Sequence, residues 1–346
     1  MKLQELLGTE LPIIQAPMAG VQGSALAVAV SNAGGVGSLP CALLGPEAMR
    51  RELAAIRSGT DRPYNVNFFC HVPPQADARR EAAWRAALAP YYAEYGVDAR
   101  AIPAGPARAP FDAAAAAVLE EFRPAVVSFH YGLPAPELLA RVKRLGAKVL
   151  STATTLDEGL WLEAHGADAV IAQGLEAGGH RGHFLADDLS AQMGTFALVP
   201  QLARRLKLPV IAAGGIADAD GVAAALALGA SGVQVGTAYL LCPEATLAPL
   251  YRAALKSGAA RHTALTNVFT GRPARAIVNR LVRERGPFNA DAPAFPLAAA
   301  AVMPLRAKAE EWGATDFSAF WAGQNTSGCR ELPAAELTRA LAARPG

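Results

Sequence analysis

The amino-acid sequence predicts an α/β protein built as a closed barrel of eight parallel strands. Eight short apolar runs punctuate the first two-thirds of the chain, and helical patterns separate most of them. The candidate strands are Ile13–Met18, Val36–Pro40, Tyr64–Phe69, Ala125–His130, Lys148–Ala153, Ala169–Gln173, Pro209–Ala213 and Gly232–Thr237. Repeated strand–helix units favour parallel strands with right-handed crossovers, and eight such units favour the (β/α)8 TIM barrel.

Apolar residues at helical spacing predict the helices between these strands. They span Ser24–Ala33, Pro46–Arg57, Pro136–Leu145, Leu156–His165, Phe196–Leu206 and Asp220–Leu228. Gly34, Gly146, Gly166 and Gly229 each follow a predicted helix directly, where a glycine commonly ends it. The alternative fold is an open doubly wound sheet. Its usual G-x-G-x-x-G after the first strand is missing, since Gly20–Gly23 has a different spacing.

The region between the third and fourth strands is longer than one helix requires. About residues 71–122 hold a helical pattern at Ala76–Tyr95, a proline-rich turn at Pro103–Pro110 and a second helical pattern at Asp112–Phe122. This composition predicts a barrel helix plus an insertion near the mouth of the barrel.

The chain beyond the eighth strand is expected to close the barrel and then cover it. Pro243–Ser257 is predicted to be the closing helix, and the tail from residue 258 to residue 346 shows no further strand pattern. We therefore expect residues 1–257 to form the barrel. Residues 258–346 and the insertion are expected to form a smaller, mostly helical cap.

Composition excludes several classes of function. The 346-residue chain has a net charge of +2, from 32 basic and 30 acidic residues, which offers no electrostatic case for a nucleic-acid or membrane partner. Its four cysteines lie far apart without a C-x-x-C pair, which argues against a zinc site or a disulfide scaffold. No signal peptide or membrane-spanning run is recognisable. We expect a cytoplasmic protein, a monomer or homodimer, that acts on a small molecule without a metal.

The stretch Ala167–Gly182 is the most informative for function. An apolar strand ends at Gln173 and opens into a loop that holds four glycines and His180. Glycines let the backbone approach a ligand closely, and binding sites of barrels lie at the carboxyl ends of the strands. This pattern predicts a site rather than a plain turn.

Glycine turns after the last two strands predict a phosphate site. Gly214-Gly215 follows the seventh strand, and Gly236-Thr237 ends the eighth. These two loops are the recurrent phosphate-binding place of the fold, where backbone N–H groups supply the donors. The alternative is a pair of short turns without a ligand.

Two amides and two histidines complete the candidate site. Asn67 and Gln173 offer donors and acceptors that suit a heterocycle such as the pyrimidine ring of a flavin, although they could also be satisfied core amides. His130 and His180 end or follow strands and face the mouth, where a histidine can hold an anion or take a proton from a carbon acid. The other histidines are expected to be surface or structural; they are His71, His165, His183 and His262.

Five stretches together resemble the class I nitronate monooxygenases, formerly called 2-nitropropane dioxygenases, which are FMN-dependent (β/α)8 enzymes. The stretches are Ala16–Val21 with Ser31–Gly37, Ser128–Pro134, Gln173–Gly182, Val210–Asp218 with Gly232–Leu240, and Phe269–Arg280. The resemblance implies oxidation of alkyl nitronates, such as propionate 3-nitronate, by molecular oxygen to a carbonyl compound and nitrite.

The same resemblance implies roles for individual residues. His180 is implied as the catalytic residue, and His130 as part of the substrate pocket. FMN is implied to contact Pro17, Met18, Asn67, Gln173, Gly178, Gly215, Gln234, Val235, Gly236 and Thr237. One segment departs from the family pattern: Phe295-Pro296-Leu297 is followed by Ala298–Ala301. If that segment faces the substrate, it makes the pocket less polar.

Two other functions remain open from the sequence. One is an FMN-dependent NAD(P)H oxidoreductase on the same barrel, such as a quinone or enoyl-thioester reductase. The other is an enzyme of phosphorylated metabolites that uses no flavin.

Overall fold

Eight parallel strands surround a common axis in the computed structural model, which describes residues 2–102 and 108–343. The strands are β1 (Ile13–Gln15), β2 (Gly37–Pro40), β3 (Tyr64–Phe69), β4 (Val126–His130), β5 (Lys148–Ala153), β6 (Ala169–Gln173), β8 (Val210–Ala213) and β9 (Gly232–Val235). Their order is β1-β9-β8-β6-β5-β4-β3-β2, and a parallel bridge between Ile14 and Val36 closes the ring. The predicted (β/α)8 barrel is confirmed.

The interior of the barrel is layered, and the layers decide which end can hold a ligand. At the amino end, helix α1 (Leu3–Leu7) covers an apolar floor that includes Ile14, Leu150 and Ile211. Above this floor lies a layer of bonded polar side chains, in which Asn65 donates to the hydroxyls of Ser38 and Ser128 at 3.0 and 2.9 Å. Only the carboxyl end of the barrel therefore remains open to a ligand.

Seven helices that follow barrel strands along the chain pack around the sheet. They are α2 (Ser24–Asn32), α3 (Pro46–Gly59), α5 (Ala113–Phe122), α6 (Pro136–Arg144), α7 (Leu156–Ala164), α8 (Thr195–Arg205) and α9 (Ala219–Ala227). The glycines predicted to end helices do so with positive φ, for example 81° at Gly146 and 103° at Gly229. Asp218 accepts a hydrogen bond from the backbone N–H of Gly221 at 2.8 Å and so stabilises the start of α9.

The eighth barrel helix does not come from the segment that the sequence indicated. Within Pro243–Ser257, helix α10 (Pro249–Lys256) packs in a cluster with Ile277 and Phe320, away from the ring of barrel helices. The place between α2 and α9 is taken by α13 (Ala334–Leu341). Its Leu337 and Leu341 are buried with residues of β1, α2 and α9. The prediction of the closing helix was wrong, because helical periodicity does not specify the partner of a helix.

The last helix also bears on the predicted division of the chain at residue 257. The hydroxyl of Tyr239, just after β9, bonds that of Thr338 in α13 at 2.8 Å, and both residues are buried. The tail therefore contributes to the barrel wall as well as to the cap. The boundary itself stays a prediction.

A cap stands over the mouth of the barrel. Its helices are α4 (Ala78–Tyr95), α11 (Arg280–Arg285) and α12 (Ala298–Glu311), and its strands are β10 (Thr263–Thr266) and β11 (Ala274–Ile277). The expectation of a tail without strands was wrong. β10 and β11 form an antiparallel sheet with the two-residue strand β7 (Gly179–His180), which lies in the loop after β6.

The insertion after β3 divides between barrel and cap. Helix α5 packs on the barrel through Ala115, Val118 and Leu119. Helix α4 packs on α12, where Trp84 and Tyr92 donate to backbone carbonyls of that helix at 3.4 and 2.8 Å. Both helices bear out the expected barrel helix plus insertion. Of the predicted proline-rich turn, residues 103–107 lie outside the described residues.

Four short 3-10 helices link these elements. They span Ala99–Ala101, Leu189–Ala191, Thr237–Leu241 and Gly258–Arg261. No helix in residues 2–102 and 108–343 is both long enough and apolar enough to cross a bilayer.

Candidate active site

A cavity of about 180 Å³ opens at the carboxyl ends of the barrel strands, beneath the cap. A second cavity, beside Trp84 and Ala301 in the cap, measures only about 10 Å³, so the first is the candidate site. The predicted site residues that line it are Pro17, Met18, Asn67, His130, Gln173, Gly178, His180, Gly215, Gln234, Gly236 and Thr237. The fold thus brings together residues from all along the predicted barrel.

Val235 is the exception among the predicted residues. Its side chain is buried in the layer between the barrel strands and the outer helices, and its carbonyl accepts a hydrogen bond from Ala16 at 2.8 Å. Neighbouring residues of a strand point to opposite faces, so Gln234 faces the cavity and Val235 faces away. A side-chain contact of Val235 with a ligand is not supported by its position.

Glycine turns form one side of the cavity. Gly214 and Gly215 have φ values of 118° and 75°, a left-handed backbone that favours glycine. A Cβ atom on Gly178 would lie 2.6 Å from the backbone nitrogen of Gly323, so only glycine allows the two segments to meet. This side therefore offers backbone groups, rather than side chains, to a ligand.

A segment near the end of the chain completes this side of the cavity, and the sequence interpretation missed it. Gly323 donates its N–H to the hydroxyl of Thr237 at 3.0 Å, and the Asn325 side chain donates to the carbonyl of Gly215 at 2.9 Å. The only local signal was a Gly-Gln-Asn turn, which does not reveal a partner almost 90 residues earlier.

The amide side chains that line the cavity differ in how many of their hydrogen-bonding groups already have a partner in the protein. Gln173 donates to the carbonyl of His180 at 2.9 Å and accepts from the N–H of Gly182 at 2.8 Å. Asn67 donates to Ser128. The buried Oε1 of Gln234 has no hydrogen-bond partner among the described residues. A buried acceptor without a donor is costly, so Gln234 is suited to receive one from a ligand.

His180 lies at the junction of barrel and cap. It pairs with Ala274 of β11, and its Nε2 is 2.9 Å from the hydroxyl of Thr270. Burial, followed by the positive charge of Arg108, lowers the pKa of His180 well below its usual value. The imidazole is therefore neutral at physiological pH.

His130 lines the cavity, but the protein occupies both of its ring nitrogens. Nε2 lies 3.1 Å from the carbonyl oxygen of His180, and Nδ1 lies 3.0 Å from the hydroxyl of Thr152. Since a carbonyl can only accept, Nε2 carries the proton. Burial lowers the pKa of His130 to about 3. His130 is thus neutral and holds the His180 loop in place.

Aromatic rings surround His180, and two of them, Phe69 and Trp321, line the cavity. The His180 ring has its centre 5.2 Å from that of Phe295, 5.1 Å from that of Trp321 and 6.2 Å from that of Phe69. The guanidinium of Arg108, which also lines the cavity, lies over Phe69 and Phe295. The sequence interpretation assigned no role to these four neighbours of His180, which come from distant segments.

The alanine-rich segment lies outside the cavity lining. Ala298 and Ala301 are buried against α4 in the cap, and Met303 is 57% exposed. No residue from 298 to 303 is among those that line the cavity. This segment therefore does not face the cavity and does not make the pocket less polar.

Two further charged residues near the site, Arg181 and Glu176, have structural partners. The fully buried Arg181 donates to Gln192 and to the carbonyls of Gly174 and Gln173 at 2.6–2.7 Å. Glu176 accepts from the N–H and the hydroxyl of Thr195. Within the described residues, no cluster of three or more His, Cys, Asp or Glu side chains could hold a metal ion.

The other four histidines divide into two kinds. His165 and His262 are exposed. His71 and His183 are buried beside the site, and burial lowers the pKa of His71 to about 4 and that of His183 to about 3. Neither is among the residues that line the cavity.

Comparison with known proteins agrees with this geometry. A family model described as nitronate monooxygenase matches residues 1–343. A nitronate monooxygenase of Pseudomonas aeruginosa is 47% identical over 348 residues, covering 98% of this chain and 97% of its own. One of Paraburkholderia phytofirmans is 46% identical, with coverages of 98% and 93%. The crystal structure of a nitroalkane oxidase from Streptomyces ansochromogenes superposes with a TM-score of 0.87 at 41% identity, covering 98% of this chain and 96% of its own. The chain therefore belongs to the nitronate monooxygenase family and is an oxidoreductase.

Proposed function

We propose that this enzyme oxidises alkyl nitronates with molecular oxygen on a bound FMN and releases a carbonyl compound and nitrite. One observation carries the proposal: a single cavity has glycine turns on one side and a neutral histidine, His180, on the other. The proposal includes a cytoplasmic location and a monomeric or homodimeric state, with no nucleic-acid or membrane partner.

The residues of the cavity fit FMN. Gly178, Gly215, Gly236 and Thr237 would hold the phosphate through backbone N–H groups and a hydroxyl, as is usual after the last strands of this fold. The unpartnered Oε1 of Gln234 would accept from the isoalloxazine ring. The other residues proposed to contact the cofactor are Pro17, Met18, Asn67 and Gln173.

FMN, when bound, supplies the acceptor for electrons from the substrate and the group that reacts with oxygen. The protein must then place and hold the substrate. The nitrogen Nε2 of His180 is occupied by Thr270, so Nδ1 is the ring nitrogen left for the substrate. With the proton on Nε2, Nδ1 can take a proton from a neutral nitroalkane. With the proton on Nδ1, it can donate to a nitronate oxygen.

The His180 loop is held rigidly enough for this role. Its carbonyl accepts hydrogen bonds from both His130 and Gln173, and the pairing with β11 fixes its other side. A reacting group must be held within fractions of an ångström to be effective. In this proposal His130 is a positioning residue, and its carbon edge borders the substrate.

A spectroscopic experiment tests the function directly. The purified protein is expected to show the visible absorption of a flavin, which ethyl nitronate should bleach without oxygen; in air, nitrite and acetaldehyde should form in equal amounts. Rapid anaerobic bleaching by NADH, without a response to nitronate, would instead support the NAD(P)H oxidoreductase. A colourless protein that takes up no FMN would support an enzyme of phosphorylated metabolites.

The role of His180 has its own test. His180→Asn is expected to lower kcat/KM for ethyl nitronate about 100-fold, the usual contribution of a positioned proton-transfer or hydrogen-bonding group, with the flavin content unchanged. His262→Asn is the matched control, because His262 is exposed and outside the cavity lining. Equal turnover in both variants would remove His180 from the mechanism.

A further inference from the structure

Arg108 differs from every other residue that lines the cavity. It is the only lysine or arginine among the described lining residues. Its guanidinium carbon lies 5.6 Å from the centre of the Phe295 ring and 6.0 Å from that of Phe69. Burial lowers its pKa, and the tyrosine hydroxyl of Tyr131 is the one group nearby that favours its charge. Within the described residues, no carboxylate supports the Arg108 cation.

Two buried arginines near the site show what a purely structural arginine looks like here. Arg181 makes three hydrogen bonds to the loop after β6, and Arg275 donates to the carbonyls of Leu175 and Thr263. The Arg108 side chain has no such hydrogen bond to the described residues. Arg108 is only partly buried, but a charged group held away from bulk water without a partner is still costly. The position therefore favours a partner that the ligand brings.

The charge of Arg108 is not cancelled elsewhere in the cavity. His130 and His180 are neutral, since burial lowers both pKa values. Glu176 is the one acidic residue in the described lining, and its charge supports the guanidiniums of Arg181 and Arg275, whose pKa values it raises, rather than Arg108. Arg108 therefore makes its side of the cavity attractive to an anion.

This anion is a different one from the phosphate expected at the glycine turns. Arg108 lies over Phe69, the last residue of β3, whereas the glycine turns follow β8 and β9. In the closed sheet, two strands separate β3 from β9 in one direction, and three separate it from β8 in the other. Arg108 and the glycine turns thus lie on opposite sides of the mouth of the barrel.

We propose that Arg108 binds an anionic group of the substrate and makes the enzyme select anions over neutral nitroalkanes. The group is a pair of oxygens, either those of the nitronate or those of a carboxylate on the same molecule. A planar guanidinium stacked on rings keeps its N–H edge available for such a pair. This inference rests on the proposed function, which it deepens by naming the residue that recognises the charge of the substrate.

The test compares Arg108→Met and Arg108→Lys with the exposed Arg79→Met, a control for the loss of one positive charge. We expect Arg108→Met to raise KM for an anionic substrate about 10- to 100-fold, the loss typical of a charge-assisted hydrogen bond, with the flavin content unchanged. Arg108→Lys should recover part of the loss, and Arg79→Met should match the wild type.

Three substrates identify the anionic group. Nitroethane is neutral, ethyl nitronate has one charge, and the nitronate of 3-nitropropionate has two. If Arg108→Met raises KM for both anionic substrates, Arg108 binds the nitronate oxygens. If it raises KM only for the doubly charged substrate, Arg108 binds the carboxylate. The KM for nitroethane should stay within about twofold in either case. An equal rise for all three substrates, or no rise for any, would overturn the inference.

A binding measurement separates this inference from the proposed function. The dissociation constants of nitrite and propionate can be measured from the change in flavin absorption without turnover. Arg108→Met should weaken at least one of them about tenfold or more, while Arg79→Met should not. If the wild type oxidises no nitronate, the proposed function fails. Unchanged constants in Arg108→Met would overturn the role of Arg108 independently.

Discussion

The two sides of the cavity are built in different ways. The glycine-turn side consists of Gly214, Gly215, Gly236 and Thr237, and each pair lies in one short turn directly after a barrel strand. The other side, here called the cap side, is lined by four separate segments, which contribute Phe69, Arg108, His180 and Trp321. Phe295 comes from a fifth segment and packs beside His180 and Phe69 without lining the cavity. The two turns of the first side follow from local backbone chemistry, and Gly323 and Asn325 of the tail only complete that side. The second side exists only once distant segments have packed together.

This difference predicts where substitutions act. Changes on the glycine-turn side should affect cofactor binding, because that side presents mainly backbone. Changes on the cap side should affect the substrate and the reaction, because that side presents side chains. The following experiments are arranged from the largest expected effect to the smallest.

Gly215→Ala tests whether the glycine-turn side binds FMN, and Gly313→Ala is the control with the same backbone strain. Gly215 and Gly313 both have φ 75°, but Gly313 lies in open space at the end of α12. Each alanine should lower the free energy of unfolding by about 1–2 kcal/mol, the cost of a left-handed non-glycine residue. Only Gly215→Ala should also weaken FMN binding, at least tenfold by equilibrium dialysis. Full FMN occupancy in Gly215→Ala would show that the turn does not bind the phosphate.

Thr270→Val tests the cap side. It removes the hydroxyl 2.9 Å from Nε2 of His180 while keeping the shape of the side chain. We expect kcat to fall about tenfold, since a misoriented catalytic imidazole costs of that order, with FMN affinity unchanged. Thr270→Ser keeps the hydroxyl and should retain most of the activity. A loss of flavin in Thr270→Val would contradict the assignment of cofactor binding to the glycine-turn side.

Acid should destabilise the enzyme, because His130 beside the His180 loop is neutral in the folded chain. The pKa of His130 is about 3 in the folded chain and 6.5 in its ordinary state. As the pH falls below about 6.5, the unfolded chain takes up a proton that the folded chain does not, so the free energy of unfolding decreases. By pH 4.5 this one residue accounts for about 2–3 kcal/mol.

Urea unfolding between pH 7 and pH 4.5 measures this effect. His130→Gln removes the titrating group. The free energy of unfolding of this variant should therefore fall less steeply with acidification than that of the wild type. If the free energy of unfolding fell equally with pH in both proteins, His130 would not have a lower pKa in the folded chain than in the unfolded chain.

Ala299→Ser should have the smallest effect. Ala299 lies in α12, which packs on α4 in the cap, and residues 298–303 are absent from the described cavity lining. We expect KM for ethyl nitronate to change less than about twofold, with a loss of stability of at most about 0.5 kcal/mol from helix propensity. A larger change in KM would place this helix closer to the substrate than its packing indicates.

The same contrast explains what the sequence could predict. The barrel strands and the glycine turns followed from local patterns, namely apolar runs and glycines at strand ends. The cap strands β10 and β11 read T-A-L-T and A-R-A-I, without the β-branched alternation that marks a strand, so they were missed. Arg108 and Trp321 were missed because no local pattern tells which residues a distant segment will meet.

Helix α13 stabilises the barrel although it comes from the tail of the chain. Because Leu337 and Leu341 pack in one layer with Ile13 of β1 and Leu26 of α2, the first barrel strand and the last helix stabilise each other. A truncation before residue 334 would uncover apolar surface on the outer wall of the barrel, far from the catalytic mouth. Its consequence would be aggregation of the enzyme rather than a change in substrate preference.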